Sequence, residues 1–404
     1  MKEASTRRET GPGGLMAAAA TGIFVFGIVM AVLGAVLPSL MERIGFDKAR
    51  GGGLFLVMNF AMLVMSLLFG PIVDRFGFKT LLAVCALLVA GAFALLAAAG
   101  TYTAVAVAAV ILGFGGGGLN GGTNALASDL NPERRGAALN LIGIFFGFGA
   151  LSIPFLAGTL MRSLGVVRLL VLAAILALVP FVLFATSRFP RPKQAQGFPL
   201  REAARVIRHP LLWLCAFLLF FQSGNEFTVG GWLATYGRED FGLGASAASL
   251  ALAAYWAMIM AGRLVSSRAV SRLGNTRLVL VSAFVALAAA VLLTVAWNVP
   301  VLFVAAALIG LGFAAIYPTT LAVAGERFAE LSGTAFGVIF VVALTGGMTA
   351  PWLAGRIAQS AGMRRGLLIP VVSCAAILVL QFAIGRLAKP PKAGAANTTF
   401  EKER

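Results

Sequence analysis

One acidic residue of the sequence lies inside a long apolar run. Glu226 belongs to the stretch FLLFFQSGNEFTVGGWLATY, Phe217 to Tyr236, whose residues are mainly aromatic, aliphatic or glycine. An acidic side chain at the centre of a bilayer costs roughly 2.5 kcal/mol or more, so such residues usually mark ion or substrate pathways. A desolvated carboxylate also binds protons more readily than one in water. The sequence therefore predicts Glu226 as a proton-coupling site. The alternative is a structural carboxylate that hydrogen-bonds across helices.

Polar and aromatic residues that could bind a neutral sugar accompany this carboxylate. Gln222, Asn225 and Glu226 share one helical face through i, i+3 and i+4 spacing. A sugar needs hydrogen-bond partners for its hydroxyl groups and an aromatic ring for its flat face. The predicted binding residues are Asn59, Asn120, Asn124, Gln222, Asn225, Trp232, Tyr255, Trp256 and Tyr317. For each aromatic residue, packing or lipid contact is the alternative.

The elements that position these residues are membrane-spanning helices. The chain has 404 residues, 60% of them hydrophobic and 12% charged, and a mean hydropathy of +0.94. A helix crosses a bilayer with about 20 apolar residues. The apolar runs are continuous rather than alternating, which argues against a transmembrane barrel. The predicted fold is an all-α membrane protein with twelve spans, approximately at residues 15–40, 52–71, 80–100, 102–126, 136–161, 166–186, 211–236, 245–266, 277–297, 300–324, 332–357 and 366–387.

The distribution of charge predicts the orientation of the chain. Most Lys and Arg residues fall in loops on the side of the two termini, and the positive-inside rule then places both termini in the cytoplasm. Topology and contact with anionic lipids account for the net charge of +17, so nucleic-acid binding is not expected. We predict a multi-pass inner-membrane protein that contacts the lipid bilayer and acts as a monomer.

Residues for catalysis or metal binding are not grouped in the sequence. Cys85, Cys215 and Cys374 each fall in an apolar span, and an odd number of cysteines within spans argues against a disulfide framework. His209 is the sole histidine, which leaves no cluster for a metal or a hydrolytic triad. We expect no enzyme activity, no metal and no cofactor, with a proton or a sodium ion as the coupling ion.

The two halves of the chain align as copies in a single register. An offset of 197 residues pairs Gly45 with Gly242, Arg75 with Arg272, Gly77 with Gly274, Gly113 with Gly310 and Pro154 with Pro351. A stretch rich in charge and proline separates the copies. The predicted domains are a six-helix bundle at 1–186, a cytoplasmic linker at 187–210, and a second six-helix bundle with a cytoplasmic tail at 211–404.

The loop between spans two and three carries a signature motif. GPIVDRFGFK, Gly70 to Lys79, resembles the G-x-x-x-D-R-x-G-x-K/R motif of the major facilitator superfamily, and SRAVSRLGNTR, Ser267 to Arg277, resembles a degraded copy. A parallel repeat is typical of that family. The resemblance implies two halves that rock about a central site, with a cytoplasmic gate at Gly70, Asp74, Arg75, Gly77, Lys79, Asp129, Arg268 and Arg272. A charged turn that only sets topology is the alternative.

Spans four and five resemble one branch of that family. Residues 113–150 are similar to the fucose permeases, which carry G-L-G-x-L-E-x-x-x-N and L-N-L-x-Q-x-F-N-x-F-G-A motifs. The match keeps Asn124, Leu139, Asn140, Leu141, Phe145, Phe148 and Gly149. The chain departs from the branch at its polar positions, where it has Asn120, Gly143, Phe146 and, in span one, Gly34. A second feature, E-x-x-x-G-G-W of sugar-porter-like relatives, resembles Glu226, Gly230, Gly231 and Trp232.

The resemblance implies a secondary transporter that works by alternating access. The preferred hypothesis is symport of a neutral sugar or similar polar solute with protons, coupled through Glu226. The main alternative is a proton antiporter that exports lipophilic or cationic drugs. A sodium-coupled sugar symporter and a non-transporting sensor or scaffold are the others. Arg263 is placed at the inner end of span eight, which leaves no predicted cation deep in the membrane and disfavours carboxylates and phosphorylated sugars.

Overall fold

Helices form the regular structure throughout residues 12–131, 135–189, 207–328 and 332–387, the part of the chain that this computed structural model describes. The predicted all-α fold is confirmed. The helices are α1 Pro12–Ile44, α2 Lys48–Ala98, α3 Tyr102–Leu130, α4 Arg135–Thr186, α5 Pro210–Phe241, α6 Ala245–Leu273, α7 Asn275–Val295, α8 Val299–Phe313, α9 Ile316–Arg327, α10 Ser332–Ala361, α11 Met363–Gly366 and α12 Leu368–Leu387.

Two of these helices are long enough to hold two membrane spans each. α2 has 51 residues and α4 has 52, against about 20 for one crossing. Each breaks at a glycine with positive φ, Gly77 at 79° and Gly165 at 69°, a conformation that residues with a Cβ rarely adopt. Eleven described segments are long and apolar enough to cross a membrane. Dividing α2 at Gly77 brings the count to the predicted twelve spans.

The predicted internal repeat is visible in the backbone. Six described residues have positive φ, all of them glycines, and they form three pairs at the offset of 197: Gly45 with Gly242, Gly77 with Gly274, and Gly165 with Gly362. Close helix packing repeats as well, since Gly113 lies against the carbonyl of Met58 and Gly310 against that of Tyr255. The two halves are therefore built on one backbone plan. The predicted domain boundaries stay predictions, because residues 190–206 of the linker lie outside the described ranges.

The outer surface of the helices is apolar. Leu67, Val372 and Val379 have 60%, 68% and 70% of their surface exposed. Large exposed apolar side chains on many helices are costly in water, whereas a bilayer accommodates them. The multi-pass membrane assignment is thus supported by the exposed surface as well as by helix length.

The two halves meet along a central seam formed by α1 with α5, α2 with α10, and α4 with α6. The closest approach is at Gly34, where a Cβ would overlap the backbone oxygen of Gly230. Glycine at this position lets the two helices pack with their backbones in contact.

Polar contacts join the halves at the end of the bundle away from the termini, which we call the distal end. Lys48 Nζ lies 2.8 Å from Glu239 Oε2, and the backbone N–H of Lys48 donates to Gln359 Oε1 at 3.0 Å. Arg238 Nη2 donates to Glu42 Oε2 at 2.8 Å. These hydrogen bonds and ion pairs between described residues of the two halves close the structure at its distal end.

Candidate functional site

Glu226 lies halfway along α5, with sixteen residues before it and fifteen after it in the helix. Its Oε1 accepts a hydrogen bond from Gln222 Nε2 at 2.9 Å, one helical turn earlier. The same Gln222 nitrogen lies 3.4 Å from the carbonyl of Phe313. The predicted partnership of Gln222 and Glu226 is therefore present, and its hydrogen bond comes from a neutral amide.

A small cavity beside Glu226 lies between the two halves. Its volume is about 10 Å³, and its lining comes from both halves, namely Met30, Phe55, Glu226, Phe227, Gly230, Gly231 and Trp256. Such a cavity has room for about one water molecule. The site is thus closed around the carboxylate in this conformation, and a solute would enter only after the halves move.

Arg263 corrects the prediction that no cation lies deep in the membrane. Arg263 interacts electrostatically with Glu226, Tyr255 and Tyr317. Its guanidinium carbon lies 5.7 Å from the ring centroid of Phe146, on the opposite half. The prediction was wrong because span eight was ended at residue 266, whereas α6 continues to Leu273. Arg263 is therefore ten residues from the end of the helix, about 15 Å along its axis.

The predicted aromatic residues divide into two groups. Tyr255 is fully buried and its hydroxyl lies 3.4 Å from the backbone oxygen of Glu226. Trp256 lines the cavity, and its buried Nε1 has no hydrogen-bond partner among the described residues. Tyr317 is half-buried and faces the same charges. These three are gathered around Glu226.

Trp232 belongs instead to the contact between the halves. It is fully buried, and its Nε1 donates to the carbonyl of Pro351 at 2.9 Å. Its ring lies 6.0 Å from that of Phe55 on the first half. The structure thus gives Trp232 a packing role beside the cavity, with no surface left for a solute in this conformation.

The predicted amides are dispersed. Asn225 is fully buried and donates to Cys374 Sγ of α12 at 3.4 Å, so the structure separates it from Gln222 and Glu226. Asn59 is fully buried and donates to the carbonyl of Phe55 at 2.9 Å. Asn120 and Asn124 are half-buried on α3, where Asn124 Nδ2 donates to Asn120 Oδ1 at 3.0 Å. None of the four lines the cavity beside Glu226.

The predicted gate residues lie at the end of the bundle that carries the termini. Gly77 makes the turn between the two spans of α2, and its repeat partner Gly274 has nearly the same backbone angles, with φ of 79° and 74°. Asp74, Arg75, Arg268 and Arg272 are on the surface. The turn is confirmed, while the gating role of Gly70, Asp74, Arg75, Gly77, Lys79, Asp129, Arg268 and Arg272 stays a prediction.

A larger groove lies elsewhere on the molecule. It has a volume of about 590 Å³ between α1 and α4 and is lined by Thr21, Phe24, Phe145, Phe148, Leu151, Ser152 and Phe155. Phe148 and Phe155 each have about half of their surface exposed. The groove has no charged side chain and faces outward, so we assign it to lipid contact.

A protein-family model matches nearly the whole chain. The model described as Major Facilitator Superfamily matches residues 19–296 and 225–403. Three relatives are similar in sequence. An uncharacterized transporter of Sinorhizobium fredii is 23% identical over 89% of this chain and 96% of its own. A glucose/galactose transporter of Brucella abortus is 24% identical over 90% and 92%. A 4-hydroxybenzoate transporter of Pseudomonas putida is 31% identical over 39% and 35%.

Solved structures share the fold. A D-xylose-proton symporter superposes with a TM-score of 0.77 at 15% identity, covering 91% of this chain and 97% of that chain. The fucose:proton symporter of E. coli superposes with a TM-score of 0.65 at 19% identity, covering 93% and 98%. At these identities the likeness concerns the fold alone.

Proposed function

Because the chain belongs to the Major Facilitator Superfamily, we propose that it is a proton-coupled symporter in which Glu226 carries the coupled proton. Its relatives are transporters, so the chain is a membrane transporter and not an enzyme. One observation carries the proposal. A carboxylate lies at mid-helix in a closed cavity between the two halves and is hydrogen-bonded to a neutral amide. Such a group can exchange a proton with whichever side the cavity opens to.

Alternating access requires the seam to open at one end while it is closed at the other. The distal end is closed by the contacts of Lys48, Arg238 and Gly34. With both termini cytoplasmic in the inner membrane, as the charge distribution favours, the closed end faces outward. The gate motif at the opposite end would then close when the distal end opens, so Glu226 would meet each aqueous phase in turn.

The solute is proposed to be small and polar. A neutral sugar is supported by the glucose/galactose transporter among the relatives. No cofactor beyond the coupling ion enters the proposal, and sodium in place of the proton remains the alternative ion. We also propose that the chain acts as a monomer, since the site is assembled from the two halves of one chain. Export of lipophilic cations is the alternative direction for the same carboxylate.

The test is proton movement in proteoliposomes that contain a pH-sensitive dye in the lumen. Pulses of hexoses, pentoses and small carboxylates are applied without sodium. We expect solute-dependent acidification of the lumen with the wild type and its loss with Glu226→Gln, which removes the titrating group and retains the shape. Glu326→Gln, an exposed carboxylate at the end of α9, is the matched control. Uphill uptake retained by Glu226→Gln would contradict the proposal, and proton release driven by lipophilic cations would favour export.

A further inference from the structure

Arg263 is a positive charge near the middle of the membrane, and no described side chain forms a hydrogen bond with it. A guanidinium has five N–H donors, yet Arg263 forms neither a hydrogen bond nor an ion pair with any residue that the structure describes, and its Nε is buried. Charged side chains at this depth normally pair with one another or with backbone carbonyls. The buried Nε of Arg263 is therefore free to donate to a ligand, since no described residue accepts from it.

The surroundings of Arg263 favour a ligand over a structural role. The ring of Phe146 from the opposite half lies 5.7 Å away, so the guanidinium lies at the seam where a solute would be enclosed. The titratable groups that act on it are Glu226, Tyr255 and Tyr317. Glu226 is hydrogen-bonded to Gln222 instead. Glu226 and Arg263 thus interact electrostatically without forming an ion pair or a hydrogen bond with each other.

We propose that Arg263 binds the carboxylate of the transported solute, so that the substrate is a small organic monoanion. This inference rests on the proposed function of Glu226 and names the substrate class of that same site. A guanidinium matches a planar carboxylate with two parallel hydrogen bonds. Among the described residues, Arg263 is the one cation that acts on Glu226, which suits one carboxylate better than a doubly charged phosphate. Among the small polar solutes of the proposed function, the inference thus selects those that carry an acid group over neutral sugars.

The charge balance of the site supports this class. Glu226 and Arg263 sum to zero when the site is empty. With a monocarboxylate on Arg263 and a proton on Glu226, the sum is again zero. With a neutral sugar and a proton on Glu226, Arg263 would have no negative charge facing it, and its buried Nε would stay unsatisfied, which is costly. With an organic anion as the solute, the site therefore has no net charge in either the empty or the loaded state.

The same geometry links substrate to proton. An anion bound at Arg263 neutralises the positive charge that faces Glu226 and places a negative charge near Glu226. Glu226 then takes up a proton from the open side, because two like charges in one apolar site repel each other. Release of the proton on the other side restores the carboxylate, which competes with the anion for Arg263. Proton and anion are thereby moved in the same direction.

The first experiment compares matched ligands on the purified full-length protein by calorimetry. The pairs are glucuronate with glucose, and 4-hydroxybenzoate with 4-hydroxybenzyl alcohol, which differ in the acid group. We expect at least one carboxylate to bind about tenfold or more tightly than its neutral partner, in keeping with a charge-assisted pair. Equal affinity within both pairs would overturn the proposal, as would failure of both carboxylates to bind.

Variants separate the guanidinium from the rest of the site. Arg263→Gln should weaken carboxylate binding about ten- to hundredfold, and Arg263→Lys, which keeps the charge and loses the fork, should weaken it less. Arg386→Gln at the exposed end of α12 is the control and should bind as the wild type does. Unchanged carboxylate binding in Arg263→Gln would refute the assignment. If that variant does not fold, the binding of the matched ligand pairs to the wild type still decides whether the site prefers a carboxylate.

A transport measurement distinguishes this inference from the function on which it rests. Uptake of the preferred carboxylate should follow a pH gradient and be unaffected by an imposed membrane potential, because one anion and one proton carry no net charge. Uptake accelerated by an inside-negative potential would contradict the proposal that the solute is an anion, and it would leave proton coupling in place. Proton coupling retained by Glu226→Gln would contradict the proposed function, whatever Arg263 binds.

Discussion

The two halves of the molecule share a backbone and differ in their chemistry. At the offset of 197 residues, Glu226, Tyr255, Arg263 and Tyr317 of the second half correspond to Val29, Met58, Ser66 and Asn120 of the first. Close packing of Gly113 on Met58 and of Gly310 on Tyr255 is nevertheless the same in both halves. The fold thus depends on glycines that both copies retain, while the charged site belongs to the second copy alone. The scaffold is therefore common to both halves, whereas the inner positions differ between them.

The halves also differ in what their equivalent glycines contact, and this predicts the largest effect. A Cβ at Gly34 would overlap the backbone of Gly230, whereas a Cβ at its repeat partner Gly231 would meet the ring of Phe55 at 2.6 Å. Backbone cannot move aside as a side chain can. We expect Gly34→Ala to slow transport at least about tenfold and Gly231→Ala only a few-fold.

The measurement for this pair is solute uptake together with labelling of a cysteine placed at the distal end. Gly34→Ala should increase labelling, because the halves no longer close there. Wild-type labelling and uptake in Gly34→Ala would show that the close approach is dispensable. Equal losses of uptake in the two variants would show that a clash with backbone is no more harmful at the seam than a clash with a side chain.

A smaller effect is expected from the ion pairs of the distal end. Glu42 and Glu239 are repeat partners, and each accepts from a cation of the opposite half, Arg238 and Lys48 respectively. The side chain of Glu42 is 71% exposed and that of Glu239 is 37% exposed. Exposed pairs contribute roughly 0.2–1 kcal/mol each, so each Glu→Gln change should alter the closed-to-open ratio less than about fivefold.

Spin labels on the two halves at the distal end would measure that ratio by their distance distribution. Glu239→Gln should reduce the closed population more than Glu42→Gln does, since the Lys48 pair is less exposed. The reverse order, or no response to either change, would mean that apolar packing alone closes this end. The double variant checks whether the two pairs act independently.

The smallest effect concerns the titratable side chain that caps the N-terminus of α5 in the second half. His209 lies before α5, and its Nδ1 accepts from the N–H of Leu211 at 3.2 Å. Burial, and then the charge of Arg327, lower the pKa of His209 below its ordinary value of 6.5. The folded protein therefore favours the neutral ring. This contribution to stability is full above about pH 6.5 and decreases as the pH falls below that value.

Melting temperatures of the wild type and His209→Asn, measured across pH 5 to 8, check this sign. Asparagine also caps helices well and does not titrate. We expect equal melting temperatures at pH 8 and a slightly lower value for the wild type, relative to the variant, at pH 5, because the ring is only partly buried and water weakens the effect. A wild type that gains stability relative to the variant on acidification would contradict the direction of the pKa shift.

Much of the fold was predictable from hydropathy and glycine, and part of the site was not. The broken helix at Gly77 follows from its motif, and Gln222 and Glu226 are bonded as their spacing predicts. Asn225 was placed on the same face, yet it is turned to Cys374. Arg263 was misplaced because a polar helix end, residues 267–273, was taken for a loop. Surface residues at the end of a span are polar whether or not the helix continues, so composition does not reveal the end.

The sequence by itself determined the spans, their number, the repeat and the single deep carboxylate, since these depend on local composition and on positions along one chain. The tertiary structure decided that Arg263 faces Glu226, that Trp232 is used in packing, and that the distal end is closed. Each of these depends on how far a helix extends and how it is rotated against its neighbours. A helix turns about 100° and rises about 1.5 Å per residue, so the error between residue 266 and Leu273 in the end of α6 shifts the expected depth of a side chain by about 10 Å, roughly a third of the hydrocarbon core.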